Sequence, residues 1–349
     1  MKLKLGGRLI IAALILAPAV YGANWWLDHR TPTAGTPIGS ASSGNATVAT
    51  GAPVKVSSDA LKVSLVSFHG YAPGLVVNGN SLTTQSGSIY DRLGVKVSFV
   101  IEDSVPTLAQ TFGSGTSNCA WRTSDFWAQE QPNMRNAGFD GRAVMVVDNT
   151  QGGDAIIAKD PSIRTVEDLA GKRIALLQFT PSHGLTIDAL ANSSLTPRKR
   201  ESVQYVYIND DEGTGGVRAA FESGKVDAAA LWDPDLVLAL KSGGHVVYST
   251  KTAQNLIFDV MVCDQRVLTK PEGREAVRKF VAGWMEGVKA ARANRANAVQ
   301  ALVATEPLFK QLASDKGAGF IESLFNNVVW RSSKVFCRSL LLASLTLSS

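Results

Sequence analysis

Between Leu61 and Tyr248, short apolar runs rich in β-branched residues alternate with helical segments that stop at glycine, and few architectures accept that rhythm. Leu61 to Ser67, Gly94 to Ile101, Ala143 to Val147 and Asp154 to Ala158 read as strands. Arg173 to Gln178, Gln204 to Ile208, Val226 to Leu231 and His245 to Tyr248 continue the series. Thr165 opens a helix, because its hydroxyl can cap, Asp168 stands where a capping partner belongs, and Gly171 stops it. A second helix follows the turn Phe179 to Ser182, and two more run from Gly215 to Glu222 and from Pro234 to Lys241. Strands and helices in this order predict an α/β fold with open, mostly parallel sheets and helices on both faces. From Pro271 the chain turns helical, with a long run over Glu275 to Ala291.

The N-terminus sets the compartment. Lys2, Lys4 and Arg8 precede an apolar run from Leu9 to about Leu27, the pattern that drives export with the basic end left behind. Two readings remain open for residues 1–28. A signal peptide would be cut near Val20 to Ala23, and a signal anchor would use the length of the run with Trp25 and Trp26 at the interface. Residues 29–58, rich in Gly, Ser, Thr, Ala and Pro, cannot bury a core and read as a flexible linker. The formal net charge of +5 is spread along the chain, and no basic stripe alternates with aromatics, so nucleic acid is not the expected partner. Three cysteines and four histidines, with no CxxC spacing, give no sign of a metal or another cofactor. Cys119 and Cys263 both lie near strands and either pair or remain two buried thiols.

In open α/β sheets, ligands sit beyond the carboxyl ends of strands, against helix N-termini. Four segments occupy such places. Phe68, His69 and Tyr71 follow the first strand around Gly70, where aromatics beside a glycine could wall a pocket. Thr123 and Ser124 precede Asp125, Phe126 and Trp127 and can cap a helix while offering hydroxyl and amide donors. Thr180, Ser182 and His183 form a strand-to-helix turn, and Trp232 with Asp233 stands just past another strand. Each has a plainer structural reading as core aromatic, helix cap or turn histidine. Their shared topological position, two segments in each part of the chain, is what makes them candidates together.

The stretch Gly153 to Lys159, followed by Ser162 to Ala175 with its Asp168-Leu169-Ala170-Gly171-Lys172-Arg173-Ile174 core, resembles solute-binding proteins of ABC transporters. The similar subgroup is that for nitrate, sulfonate, taurine and thiamine precursors. Phe221 to Pro234 and Phe325 to Trp330 resemble it as well, and the resemblance covers roughly residues 60 to 330. It implies a two-lobed type II periplasmic binding fold: lobe one over 59–148, lobe two over 149–254, and a helical return to lobe one over 255–334. It also implies a solute, anionic or zwitterionic, bound by hinge closure at Phe68, His69, Tyr71, Thr123, Ser124, Thr180, Ser182, His183, Trp232 and Asp233. The implied partners are an ABC transporter permease and the inner membrane through the N-terminal helix, with a monomeric receptor in the periplasm. No catalytic residue is expected, because enzymes of the thiamine-precursor type carry a tight cysteine cluster that this sequence lacks. A membrane-tethered sensor or scaffold without transport is one alternative reading, and an enzyme of the thiamine-precursor type is the second. Residues 335–349, rich in Ser and Leu, depart from the family pattern and read as an atypical tail, truncated or frameshifted.

Overall fold

In this computed structural model the described residues, 60–209 and 213–331, build two sheets. The N-terminal apolar segment, the linker up to residue 59 and the tail after residue 331 lie outside them. Among the described residues no helix is long and apolar enough to cross a membrane. The first sheet has six strands, β1 (Leu61–Leu65), β2 (Val97–Ile101), β3 (Cys119–Thr123), β4 (Gly141–Thr150), β10 (Phe258–Asp264) and β11 (Val328–Trp330). The second has five, β5 (Asp154–Ala158), β6 (Arg173–Leu176), β7 (Gln204–Tyr207), β8 (Ala228–Trp232) and β9 (His245–Ser249). The chain changes sheet between Thr150 and Asp154, and again between Ser249 and Phe258.

Both sheets are mixed, which corrects the expectation of mostly parallel ones. In the order β11-β4-β10-β3-β1-β2, β1 runs parallel to β2 and β3, whereas β10 is antiparallel to both β3 and β4. In the order β7-β6-β8-β5-β9, β6 runs parallel to β7 and β8, whereas β5 is antiparallel to β8 and β9. The cause is the double crossing. One strand carries the chain out of each sheet and another carries it in, and two such strands that neighbour each other must point in opposite directions. Helix–strand alternation predicts parallel neighbours within a sheet but carries no sign of this reversal.

Register explains why helices cover both faces of the six-stranded sheet. Val63 pairs with Phe99 and with Cys119, so these side chains share a face, and Phe99 meets Phe280 and Trp284 of the helix Pro271–Ala293 at 6.4 and 6.1 Å between ring centroids. Arg122 points to the other face, over the ring of Phe112 in the helix Val105–Gly113, and pairs with Glu130 at 2.5 Å. The five-stranded sheet divides its residues in the same way. Ile156, Ile174, Leu176 and Ala230 pack with Leu169 and Leu190 on one side, while Ile157, Leu177 and Leu231 pack with Val217, Phe221 and Leu236 on the other. All of β5 and β8 is buried, as strands covered on both faces require. The expected helix at Thr165 is one 3-10 turn, Val166–Leu169, in which the Asp168 carboxylate accepts from the Thr165 N–H and hydroxyl.

Cys119 and Cys263 stand opposite each other in the β3–β10 register and form a disulfide at a sequence separation of 144. The pairing closes the question left open by the sequence, and it ties together the two central strands of the six-stranded half.

Candidate functional site

The carboxyl ends of β1, β3 and β8 and the first residue of β5 converge on a small cavity. It is lined by Val66, Phe68, Tyr71, Trp121, Thr150, Asp154, Pro181, Trp232, Ile257 and Asp259. Its volume is about 20 Å³, on the order of one water, so the two halves are closed on each other here.

The first wall is built on the turn after β1. Asp103, just past β2, accepts from the Ser67 amide at 2.6 Å and the Ser67 hydroxyl at 2.9 Å, which fixes the start of that turn. Phe68 then enters the cavity, buried and edge-on to Tyr71 at 5.5 Å. Gly70 is required for space: a Cβ there would meet the Asp148 carboxylate and the ring of Phe68. Tyr71 turns its ring toward Trp121 at 6.5 Å and its hydroxyl toward Asp259 Oδ2 at 3.3 Å. Trp121 Nε1 donates to Asp259 Oδ1 at 2.9 Å. Asp259 sits between Thr123 on β3 and Asp148 on β4, so the two carboxyl groups are cross-strand neighbours. Burial raises both of their pKa values, and their mutual repulsion raises that of Asp148 further.

The second wall belongs to the five-stranded half. Asp154 opens β5 and pairs in register with Trp232 at the end of β8. Both line the cavity, and Pro181 at the start of the helix Pro181–Ala191 completes the wall. The Asp154 carboxyl is 2% exposed, and its Oδ2 has no hydrogen-bond partner. Burial holds its pKa well above the usual carboxylate range, and the charges of Asp259, Asp233 and Asp125 act in the same direction.

Of the residues named from sequence, Phe68, Tyr71 and Trp232 line this cavity. Thr123 ends β3 beside it, fully buried with its hydroxyl unpaired, and Ser124 is the half-buried first residue of the helix Ser124–Asn136. Ser182 is likewise buried with an unpaired hydroxyl. The others are placed differently. His69 is buried behind Phe68 against Phe325, and desolvation pushes its pKa down to about 3, so it is a neutral core residue. The Thr180 hydroxyl donates to the Leu177 carbonyl at 2.8 Å and shapes its own turn. His183 accepts from the Phe179 amide through Nδ1 at 3.3 Å and sits among Phe126, Tyr205 and Tyr207. Asp233 accepts from Asn327 Nδ2 at 2.7 Å, and burial raises its pKa to about 7. It clasps the five-stranded half to the segment that returns to β11.

The halves also meet away from the cavity. The ring of His183 stacks on Phe126 at 6.4 Å, and a Cβ at Gly184 would run into the Asp125 carboxylate. Sequence reasoning missed Val66, Trp121, Thr150, Asp154, Pro181, Ile257 and Asp259 as lining residues. A signal was present for the acids: an aspartate within an apolar strand, as in Phe258-Asp259-Val260-Met261, is costly unless it has a task.

A family model described as NMT1/THI5 like matches residues 92–298. A protein of Escherichia coli (strain K12) named for binding aliphatic sulfonates is 36% identical over 100 residues, which is 29% of this chain and 29% of that relative. The match thus spans under a third of that relative. Among solved structures, the periplasmic aliphatic sulphonate binding protein SsuA from Escherichia coli aligns with a TM-score of 0.59 at 22% identity, over 82% of this chain and 91% of that one. The alkanesulfonate-binding protein SsuA from Xanthomonas axonopodis pv. citri, bound to MOPS, aligns at 0.57 and 20% identity, over 82% and 92%. At these identities the structures establish the shared two-sheet fold.

Proposed function

From a chain that belongs to the NMT1/THI5-like family, we propose a solute receptor that works outside the cytoplasm and delivers its solute to an ABC transporter permease. One small organic molecule is captured between the six-stranded and five-stranded halves. The observation that carries this reading is the cavity itself, walled by Phe68, Tyr71, Trp121 and Asp259 from one half and by Asp154, Pro181 and Trp232 from the other. A molecule touching both walls favours the closed arrangement over an open one by that differential contact, which is all that hinge closure needs. The aromatic rings would take the apolar body, and the carboxyls and hydroxyls would set its orientation. Thr123, Ser124 and Ser182, at two helix N-termini, are the further binding residues proposed. The Cys119–Cys263 disulfide supports an oxidising compartment. Residues 1–28 serve as the export signal or as an inner-membrane anchor, and the receptor acts as a monomer without turnover of its solute.

Native mass spectrometry of the protein as purified tests the proposal. The expected result is a small-molecule adduct that disappears on unfolding, and a melting temperature that rises when the released compound is added back. Bare polypeptide mass in every preparation, together with no thermal response to any candidate solute, would overturn it.

A further inference from the structure

The charges of the cavity walls bear on what the solute is. Resting on the receptor reading, we propose that it is an organic cation, a protonated or quaternary amine. Its nitrogen lies against Asp154 and Asp259, and its apolar body is boxed by Phe68, Tyr71, Trp121 and Trp232.

Three independent observations lead there. First, among the described residues the lining contains two carboxyls and four aromatic rings, and no lysine, arginine or histidine. Rings of this kind attract a cation through their negative faces, most strongly when water is excluded. Second, Asp154 Oδ2 is buried on the cavity wall without a hydrogen bond of full geometry, and the Thr150 hydroxyl beside it lowers its pKa without outweighing burial, so acceptor capacity remains for a donor in the cavity. Third, the acids are not balanced from behind. Asp148 stands next to Asp259, while Asp125 and Asp233 add negative charge near Asp154. The cations acting on this group are Arg331 toward Asp148 and Lys251 toward Asp233, and neither lines the cavity. Carboxyls this close and this dry cannot all ionise alone; burial lifts Asp259 only to about 6, so Asp154, held well above the carboxylate range, is the one that keeps its proton until a positive charge arrives. Among the described residues no group of three or more His, Cys, Asp or Glu could hold a metal ion, which favours an organic cation over a metallic one. An alkylsulfonate is less well served by these walls: its sulfonate would face acids, and its donors would be the Thr150 hydroxyl and the groups at the two helix N-termini.

The test uses the intact receptor and matched probes. Benzylammonium and tetramethylammonium are compared with benzenesulfonate and ethanesulfonate in thermal-shift and calorimetric titrations. The ammonium ions should raise the melting temperature and the sulfonates should not. Binding of an ammonium ion should release protons near neutral pH, read from titrations in buffers of differing ionisation heat, because Asp154 ionises as the cation enters. Asp154→Asn and Asp259→Asn should each weaken ammonium binding by at least about tenfold. At Asp154 the amide replaces a protonated acid, so cooperative melting is retained; at Asp259 it sets an NH2 against one of two donors and lowers stability as well. Should Asp259→Asn fail to fold, Asp154→Asn, whose Oδ2 has no internal partner, decides the matter alone. Stabilisation by a sulfonate without stabilisation by an ammonium ion would overturn the cation and leave the receptor intact, as would a response to taurine alone. A protein that answers to none of these probes, and carries no adduct as purified, would overturn the receptor reading and this inference with it.

Discussion

On the wall supplied by the six-stranded half, Asp259 is held by two donors, the Trp121 indole and the Tyr71 hydroxyl; on the wall supplied by the five-stranded half, Asp154 Oδ2 has none. The same residue type faces the same cavity from both sides, yet one is built into a network and the other is left open. The surroundings match this difference. Asp259 lies on β10, clamped to β3 by the disulfide, whereas Asp154 opens a strand directly after a chain crossing. In physical terms, one half is a preorganised bed and the other a jaw that keeps acceptor capacity for the proposed solute. Preorganisation of one wall lowers the ordering cost of binding, because only the second wall must be fixed when the solute arrives.

Four experiments would break or sharpen that contrast. Removing the clamp has the largest expected effect. Cys119→Ser with Cys263→Ser should lower the unfolding free energy in urea by roughly 2–5 kcal/mol, given the long loop that the bond closes. A loss confined to a few tenths would mean that the six-stranded half is no more constrained than its neighbour. Next comes pH. Asp233, which clasps the five-stranded half to Asn327, has a folded-state pKa of about 7, above its unfolded value of about 3.9. The folded protein therefore binds more protons than the unfolded chain. Its stability is full below the unfolded pKa and declines as pH rises through about 7, by roughly 1–4 kcal/mol. Melts recorded across that window should show the decline, and Asp233→Asn should make it shallower, the buried Asp148, Asp154 and Asp259 supplying the rest. Third, Trp121→Phe keeps the ring and removes the donor to Asp259 Oδ1, so a cost of about 1–3 kcal/mol is expected in denaturant titration. No comparable cost is expected for Asp154→Asn, and equal costs would erase the distinction between bed and jaw. The smallest change in stability, under about 1 kcal/mol, is expected for Gly184→Ala. Its new methyl group meets Asp125 only when the halves are together, so it should weaken solute binding and enlarge the particle seen by small-angle scattering.

Much of the framework was legible before any coordinates. β1, β2, β5, β6 and β8 follow from alternation and β-branching, and the ends of β1 and β8 placed Phe68, Tyr71 and Trp232 beside a common space. What escaped had physical reasons. The strand β10 is apolar but enters the sheet from the far side of the crossing, and nothing in Phe258 to Asp264 states its direction. Histidines invite a functional reading because they titrate, yet His69 sits in core packing where desolvation keeps it neutral. Thr180 and Thr123 look alike in sequence, each closing a strand before a helix. One donates to its own turn and the other keeps a buried, unpaired hydroxyl, a difference decided by backbone geometry three residues upstream. Asp154 and Asp259 carry no motif: one opens β5 and the other lies near the start of β10, and only the fold brings them to a common space.

The Cys119–Cys263 bond has one more implication, for an extracytoplasmic environment rich in proteases. Every residue of the five-stranded sheet falls inside the covalent ring it closes. A single cut in any surface turn between those cysteines would leave both fragments joined. A nicked molecule would travel as one band until a reductant parted it.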